Sequence, residues 1–181
     1  GQTTLLGYRG DDRVATVVEN ATGPVAPIAV TTTAQYDVHG NLRSLTDAEQ
    51  QTRRWQYDSR GLVLTQQDAA NRTTTMTYDT GGRMRTKTDP RGSAMAVSYT
   101  YDLRDRVTQI SSPGLATAIT MQYDASGRRT QMTDGSGTTN WTYDRADRVA
   151  TTTQPVVGGL QYGYDATDQR VALTYPSGGP Q

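Results

Sequence analysis

Apolar and polar residues alternate along this chain in short runs, and Gly, Asp, Asn or Pro interrupts them at close intervals. Trp55-Gln56-Tyr57, Met76-Thr77-Tyr78, Tyr99-Thr100-Tyr101, Met121-Gln122-Tyr123 and Trp141-Thr142-Tyr143 each hold a Gln or Thr between two apolar or aromatic residues. Residues two apart on a strand share a face, so each run predicts a strand with one covered face and one polar residue turned away. The interruptions read as turns.

The runs recur. Tyr-Asp stands at 36–37, 57–58, 78–79, 101–102, 123–124, 143–144 and 164–165, at intervals of 21, 21, 23, 22, 20 and 21 residues. Tyr8 opens a degenerate copy that lacks the Asp. Two positions before each tyrosine (Tyr8, Tyr36, Tyr57, Tyr78, Tyr101, Tyr123, Tyr143, Tyr164) lie Leu6, Ala34, Trp55, Met76, Tyr99, Met121, Trp141 and Tyr162. Four positions after it comes Gly40, Gly61, Gly82 or Gly127, or else Asp12, Asp105, Asp147 or Asp168. Gly and Asp both tolerate the positive φ of tight hairpin turns. Arg often follows (Arg13, Arg83, Arg106, Arg128, Arg148), then a mostly apolar position: Val14, Leu42, Val63, Met84, Val107 and Val149, with Arg129 and Arg170 as exceptions. A Thr-rich run then leads to a second turn such as TDAEQ, QDAAN, TDPRG or TDGSG.

A unit of about 21 residues has room for two strands and two turns, and none for a helix. A lone hairpin is marginal in water, so the units must stack and share one sheet. The prediction is an all-β fold, a single array over residues 1–181 of about eight hairpins stacked edge to edge in one layer, with the tyrosines aligned as a ladder. Tyr8 and Tyr36 are 28 residues apart, and the excess, near 19–33 with two prolines, predicts a longer loop with some extended chain. End strands of an array that does not close expose unpaired backbone groups, so self-association through open sheet edges is expected.

Composition narrows the chemistry. Only 34% of residues are hydrophobic, which argues against a thick two-layer core. Basic and acidic residues balance at 18 each without a long basic run, so electrostatics make no case for nucleic acid or an anionic membrane surface. No segment reads as a membrane span, so no membrane insertion is expected. Cysteine is absent, which excludes disulfides, thiolate metal sites and a Cys nucleophile.

Paired carboxylates would suit acid–base work or a hard cation, yet all sixteen aspartates fall at turns. Asp37, Asp58, Asp79, Asp102, Asp124, Asp144 and Asp165 follow the tyrosines, and Asp47, Asp68, Asp89 and Asp134 sit at the second turns. Asp caps its own turn through backbone N–H groups, so these positions are read as structural, with no catalytic, cofactor-binding or metal residue assigned. Arg9-Gly10-Asp11 is read as turn filler, His39 as a surface turn residue without a partner for catalysis, and the sequons at Asn20, Asn71 and Asn140 as accidental. The recurring arginines are read as pairing with Asp between neighbouring repeats.

Residues 78–92, YDTGGRMRTKTDPRG, are followed in closeness to one motif by 36–47, YDVHGNLRSLTD, and 123–137, YDASGRRTQMTDGSG. These units resemble the YD repeats of Rhs proteins, of insecticidal toxin-complex C components, of bacterial wall-associated toxins and of teneurins. The resemblance implies a curved β-strip that spirals into a hollow shell, which in bacterial members encloses a C-terminal toxin until delivery. It also implies a self-cleaving core with paired Asp-Pro-x-Gly-Leu motifs and a Gly-Arg-Phe signature. This chain has one such motif, Asp89 to Gly92, followed by Ser93, and no Phe, so that activity is carried to no residue here. The expectation is a non-enzymatic shell segment of a larger bacterial protein, secreted or at the cell surface, with a cargo toxin domain or further YD repeats as partners. The alternative is a secreted or surface binding module for a glycan or receptor, working through its turns and the 19–33 loop.

Overall fold

The computed structural model describes residues 3–21, 28–156 and 158–175. The chain divides into two compact units, Gly1–Ser93 and Ala94–Gln181. The first holds β1 (Thr3–Tyr8), β2 (Val14–Ala21), β3 (Ile28–Tyr36), β4 (Leu42–Thr46), β5 (Thr52–Tyr57), β6 (Val63–Gln67), β7 (Thr73–Tyr78) and β8 (Met84–Thr88). The second holds β9 (Ala96–Tyr101), β10 (Val107–Ser111), β11 (Ile119–Tyr123), β12 (Arg129–Asp134), β13 (Gly137–Tyr143), β14 (Val149–Gln154), β15 (Gly158–Tyr164) and β16 (Arg170–Thr174). Within each unit every strand pairs antiparallel with the next in chain order. The all-β architecture of edge-to-edge hairpins is the one read from the repeat.

Each tyrosine ends the first strand of a hairpin, and there the register slips. Tyr78 lies opposite Met84, but Thr77 lies opposite Thr86, so Arg85 is an extra residue on the returning strand. The same β-bulge recurs in all eight hairpins. A bulge moves later residues to the other face relative to strict alternation. Leu42 and Leu45 therefore share a face with Tyr36 and Ala34 although they stand three positions apart.

Burial is shallow, as a single layer requires. Among the described residues only Met76 is a buried hydrophobic, at 9% exposure, and Ser44 and Thr152 are the buried polar residues. The residues two before the tyrosines in interior strands are covered or half-covered, while Gln35, Gln56, Thr77, Thr100, Gln122 and Thr142 between them are exposed. Pairs of hydroxyls link the strands on that exposed face: Thr77–Thr86 (2.6 Å), Thr142–Thr151 (2.7 Å) and Thr133–Thr138 (2.9 Å).

Two expectations change. In the predicted loop near 19–33, residues 19–21 continue β2 and residues 28–33 belong to β3, paired from Ala21–Ile28 to Thr16–Thr33. The β-branched run Val30-Thr31-Thr32-Thr33 favours this, since such side chains suit a pleated surface. The rest of that loop, with its prolines, lies outside the described residues. The chain also includes one turn of 3-10 helix, Ser93–Met95, which takes up the excess length of the 23-residue interval.

Candidate functional site

The residues singled out by the repeat meet along the Tyr-Asp turns. In Asp37–Asn41 the Asp37 N–H donates to the Asn41 carbonyl (2.9 Å), and the Gly40 N–H donates back to the Asp37 carbonyl (3.1 Å). This is a three-residue hairpin loop whose last residue must take positive φ. The φ angle is 86° at Gly40, 81° at Gly61, 83° at Gly82 and 91° at Gly127, and 59°, 63°, 64° and 65° at Asp12, Asp105, Asp147 and Asp168. Across the loop, Asp37 Oδ1 accepts the N–H groups of His39 and Asn41, both at 2.9 Å. Asp58, Asp102, Asp144 and Asp165 each accept the same two N–H groups of their own turns.

Those bonds hold the carboxylates below their ordinary value. For Asp58 and Asp79 the main cause is the backbone N–H of Leu62 or Arg83, and for Asp37 it is the Asn41 side chain. In Asp124 and Asp144 desolvation pushes the other way, but the Arg128 and Arg148 bonds prevail.

Two of the second turns repeat the same design. Asp47 and Asp68 accept two N–H groups across loops whose positive-φ residues are Gln50 (63°) and Asn71 (61°). The signal for this was present as Asp-x-x-Gln/Asn-x in TDAEQQ and QDAANR, half a period out of phase with Tyr-Asp.

The arginines pair mostly within a turn. Arg83–Asp79, Arg106–Asp102, Arg128–Asp124 and Arg148–Asp144 are ion pairs at 2.6–2.8 Å between residues four apart. The expected pairing between neighbouring repeats is thus joined by a local one, because the short i,i+4 span across a closed loop favours the local carboxylate. Arg128 and Arg148 also reach into the next repeat, to Asp147 and Asp168, at 2.6 Å each. Asp147 and Asp168, in the glycine slot, thus take positive φ and also receive the arginine of the preceding repeat.

Two further contacts join one hairpin to the next. Arg106, Arg128 and Arg148 lie over the rings of Tyr123, Tyr143 and Tyr164 in the following repeat, at 4.5, 4.6 and 4.5 Å. The tyrosine hydroxyl then donates to a carbonyl of the preceding repeat: Tyr36 to Val14, Tyr57 to Leu42, Tyr78 to Val63, Tyr123 to Val107, Tyr143 to Arg129 and Tyr164 to Val149, at 2.7–3.0 Å. Each acceptor lies two residues before the first pair between the two hairpins, where the ladder has ended; Val63, for example, precedes the Thr65–Thr75 pair. Burial, then the Asp37 charge, raises the Tyr57 phenol pKa and keeps it a neutral donor. Sequence reasoning placed the tyrosines on a face but missed this hydroxyl bond, whose one available signal was Tyr at every repeat in a chain with no Phe.

The exceptions in the apolar slot have a partner too: Arg129 lies over Trp141 (4.4 Å) and Arg170 over Tyr162 (5.8 Å). Asp11 of Arg-Gly-Asp pairs with Arg13 at 3.0 Å. His39 is exposed in its turn, and Asn71 occupies a positive-φ turn position. Among the described residues no three acidic or His side chains gather to hold a metal ion. No helix there is long and apolar enough to cross a membrane.

The sequence matches the RHS Repeat family over residues 36–70 and 58–94, and the Teneurin YD-shell family over residues 84–179. No curated protein sequence matches the chain. Among solved structures it is similar to a Photorhabdus luminescens Tc holotoxin pore with a TccC3 mutation, at a TM-score of 0.71 and 15% identity over 91% of this chain and 11% of that one. It is also similar to the TcdB2-TccC3-Cdc42 crystal structure, at a TM-score of 0.62 and 17% identity over 98% of this chain and 12% of that one. The chain therefore spans about an eighth or less of each structure it matches, and at these identities the likeness is one of fold.

Proposed function

The chain belongs to the YD-shell family of Rhs-type repeats, and from that premise we propose that it is a stretch of shell wall enclosing a toxin or other cargo of its parent protein until delivery. The observation that carries the reading is the recurring joint between hairpins. Tyrosine hydroxyls, turn aspartates and arginines, the residues with most chemistry to offer, are engaged in fastening each hairpin to itself and to the next. A wall needs that use of them. Within each unit, the face with Trp55 and Met76 in the first and that with Met121 and Trp141 in the second would meet the cargo through weak apolar contacts, and further YD repeats would continue the wall. The parent protein is read as bacterial and exported, to the medium or the cell surface, in keeping with the holotoxin among its structural neighbours. The wall acts by enclosure and performs no chemistry of its own.

Limited proteolysis of the natural polypeptide that carries these repeats tests this. The enclosed segment should resist cleavage in the native protein and become sensitive once mild denaturant opens the wall. Equal cleavage rates with and without the intact wall would refute enclosure.

A further inference from the structure

The hairpins repeat one row of residues on the face opposite the tyrosines, so each serves as a comparison for the others. The residue before a tyrosine pairs with one on the returning strand, and that one pairs with a residue of the next hairpin: Gln56–Thr65–Thr75, Gln122–Gln131–Asn140 and Thr142–Thr151–Gln161 are such rows. On β3, β4 and β5 the row is Gln35–Ser44–Arg54. Among the paired rows the third place holds a cation only here; its counterparts are Thr33, Thr75, Thr120, Asn140 and Gln161. The extra residue of the β4 bulge, beside Ser44, is Arg43, where other hairpins have Ala15, Leu64, Thr108, Thr130 or Ala150. Arg85 is the one other arginine in that slot, and its row holds Thr77 and Thr86, bonded to each other at 2.6 Å. Other rows close on themselves in the same way, Thr142 on Thr151 (2.7 Å) and Gln131 on Asn140 (3.0 Å). Ser44 does not: it is only 8% exposed, and its hydroxyl has no partner among the described residues. Arg43 and Arg54 are exposed there without a carboxylate or a ring to pair with.

These groups share a hollow of about 270 Å³, lined by Gln35, Arg43, Ser44, Arg54, Trp55 and Gln56. We propose that it is a binding site for a phosphate or sulfate group on a small molecule. Its lining has two guanidinium groups, a hydroxyl and two carboxamides, and no carboxylate to repel an anion. A guanidinium presents its N–H groups in a planar fork that matches the oxygens of a tetrahedral oxyanion, and such charge-assisted bonds are the strong ones. The buried Ser44 hydroxyl supplies the donor at the floor, between Gln35 and Arg54 on the neighbouring strands. The hollow lies just below the roughly 300–1,000 Å³ of clefts that hold drug-sized ligands, so the body attached to the anion is small. Arginine pairing elsewhere in the chain fastens hairpins, whereas Arg43 and Arg54 fasten nothing. The site stands whether or not the wall encloses cargo.

Isothermal titration of the chain with inorganic phosphate, inorganic sulfate and glucose 6-phosphate, at low ionic strength where exposed charges are least screened, tests this. One saturable site per chain is expected. Tighter binding of glucose 6-phosphate than of inorganic phosphate would assign the site to an ester, and the reverse would assign it to the free ion. Arg43→Gln and Arg54→Gln should each weaken binding about tenfold, and Ser44→Ala about fivefold. Both arginines are exposed and bonded to no other side chain, so their loss leaves the sheet intact. Arg85→Gln, in the same bulge slot of a row without a second arginine, should leave binding unchanged. No saturable binding of any of the three probes would overturn the site. So would full binding by both Arg43→Gln and Arg54→Gln, or a loss in Arg85→Gln as large as theirs.

Discussion

Tyrosine stands at the end of each first strand where phenylalanine would fill the same face, and its hydroxyl explains the choice. The preceding hairpin offers a carbonyl just past the end of the ladder, and the phenol satisfies it. Tyr78→Phe should therefore cost about 1 kcal/mol, the usual worth of such a bond, read as a lower urea midpoint at unchanged slope. The turn aspartates make a second residue-scale prediction. Asp58, Asp79 and Asp102 are held below the ordinary 3.8 by N–H groups and arginines of their own turns, so their stabilisation is full above that value and is lost as pH falls from it through the depressed values. The melting temperature should stay nearly level from about pH 8 to 5 and drop below about pH 4. That Asp caps its turn was legible from Tyr-Asp-x-x-Gly. The phenol's target was not, because a bond to a backbone carbonyl one repeat away imposes no residue type on its acceptor: Val14, Leu42 and Arg129 serve alike.

At the scale of the element, the hairpin is set by one three-residue loop, used at the Tyr-Asp turns and again at the second turns of Asp47 and Asp68. Gly82 has φ of +83°, and a Cβ added there would meet nothing nearer than Leu62 Cδ1 at 3.6 Å. The cost of Gly82→Ala is then conformational alone, about 1–2 kcal/mol by urea denaturation. Gly82→Asp should cost less, because Asp takes this φ at four equivalent positions and tolerates it through local hydrogen bonding. Strand identities and first turns were readable from alternation and from Gly or Asp. The bulge was not, since the sequence test for a strand assumes period two and the bulge breaks it once per hairpin. Leu42 with Leu45, and Val107 with Ile110, were the traces it left, apolar residues three apart with the slip between them. The longer loop with some extended chain expected near 19–33 is extended further than read: β2 and β3, strands of eight and nine residues, take in residues 19–21 and 28–33.

For the whole molecule, shallow burial fits the low hydrophobic content: stability comes from contacts repeated between neighbours, not from a deep core. In such an array each hairpin leans on the next, and the outer strands have one neighbour instead of two. Their exposed Leu5, Leu6, Val171 and Leu173 are the surfaces that a continuing wall would cover. Since the chain spans 11–12% of its structural neighbours, such a continuation accords with the length of those proteins. The most direct test is an electron cryo-microscopy map of the natural polypeptide that carries these repeats. It should show β1 and β16 each paired with a further hairpin, a tyrosine hydroxyl on the Arg170 carbonyl, and polypeptide density on the Trp55 and Met76 side of the sheet. A module with both outer strands bare and nothing on that face would contradict the account.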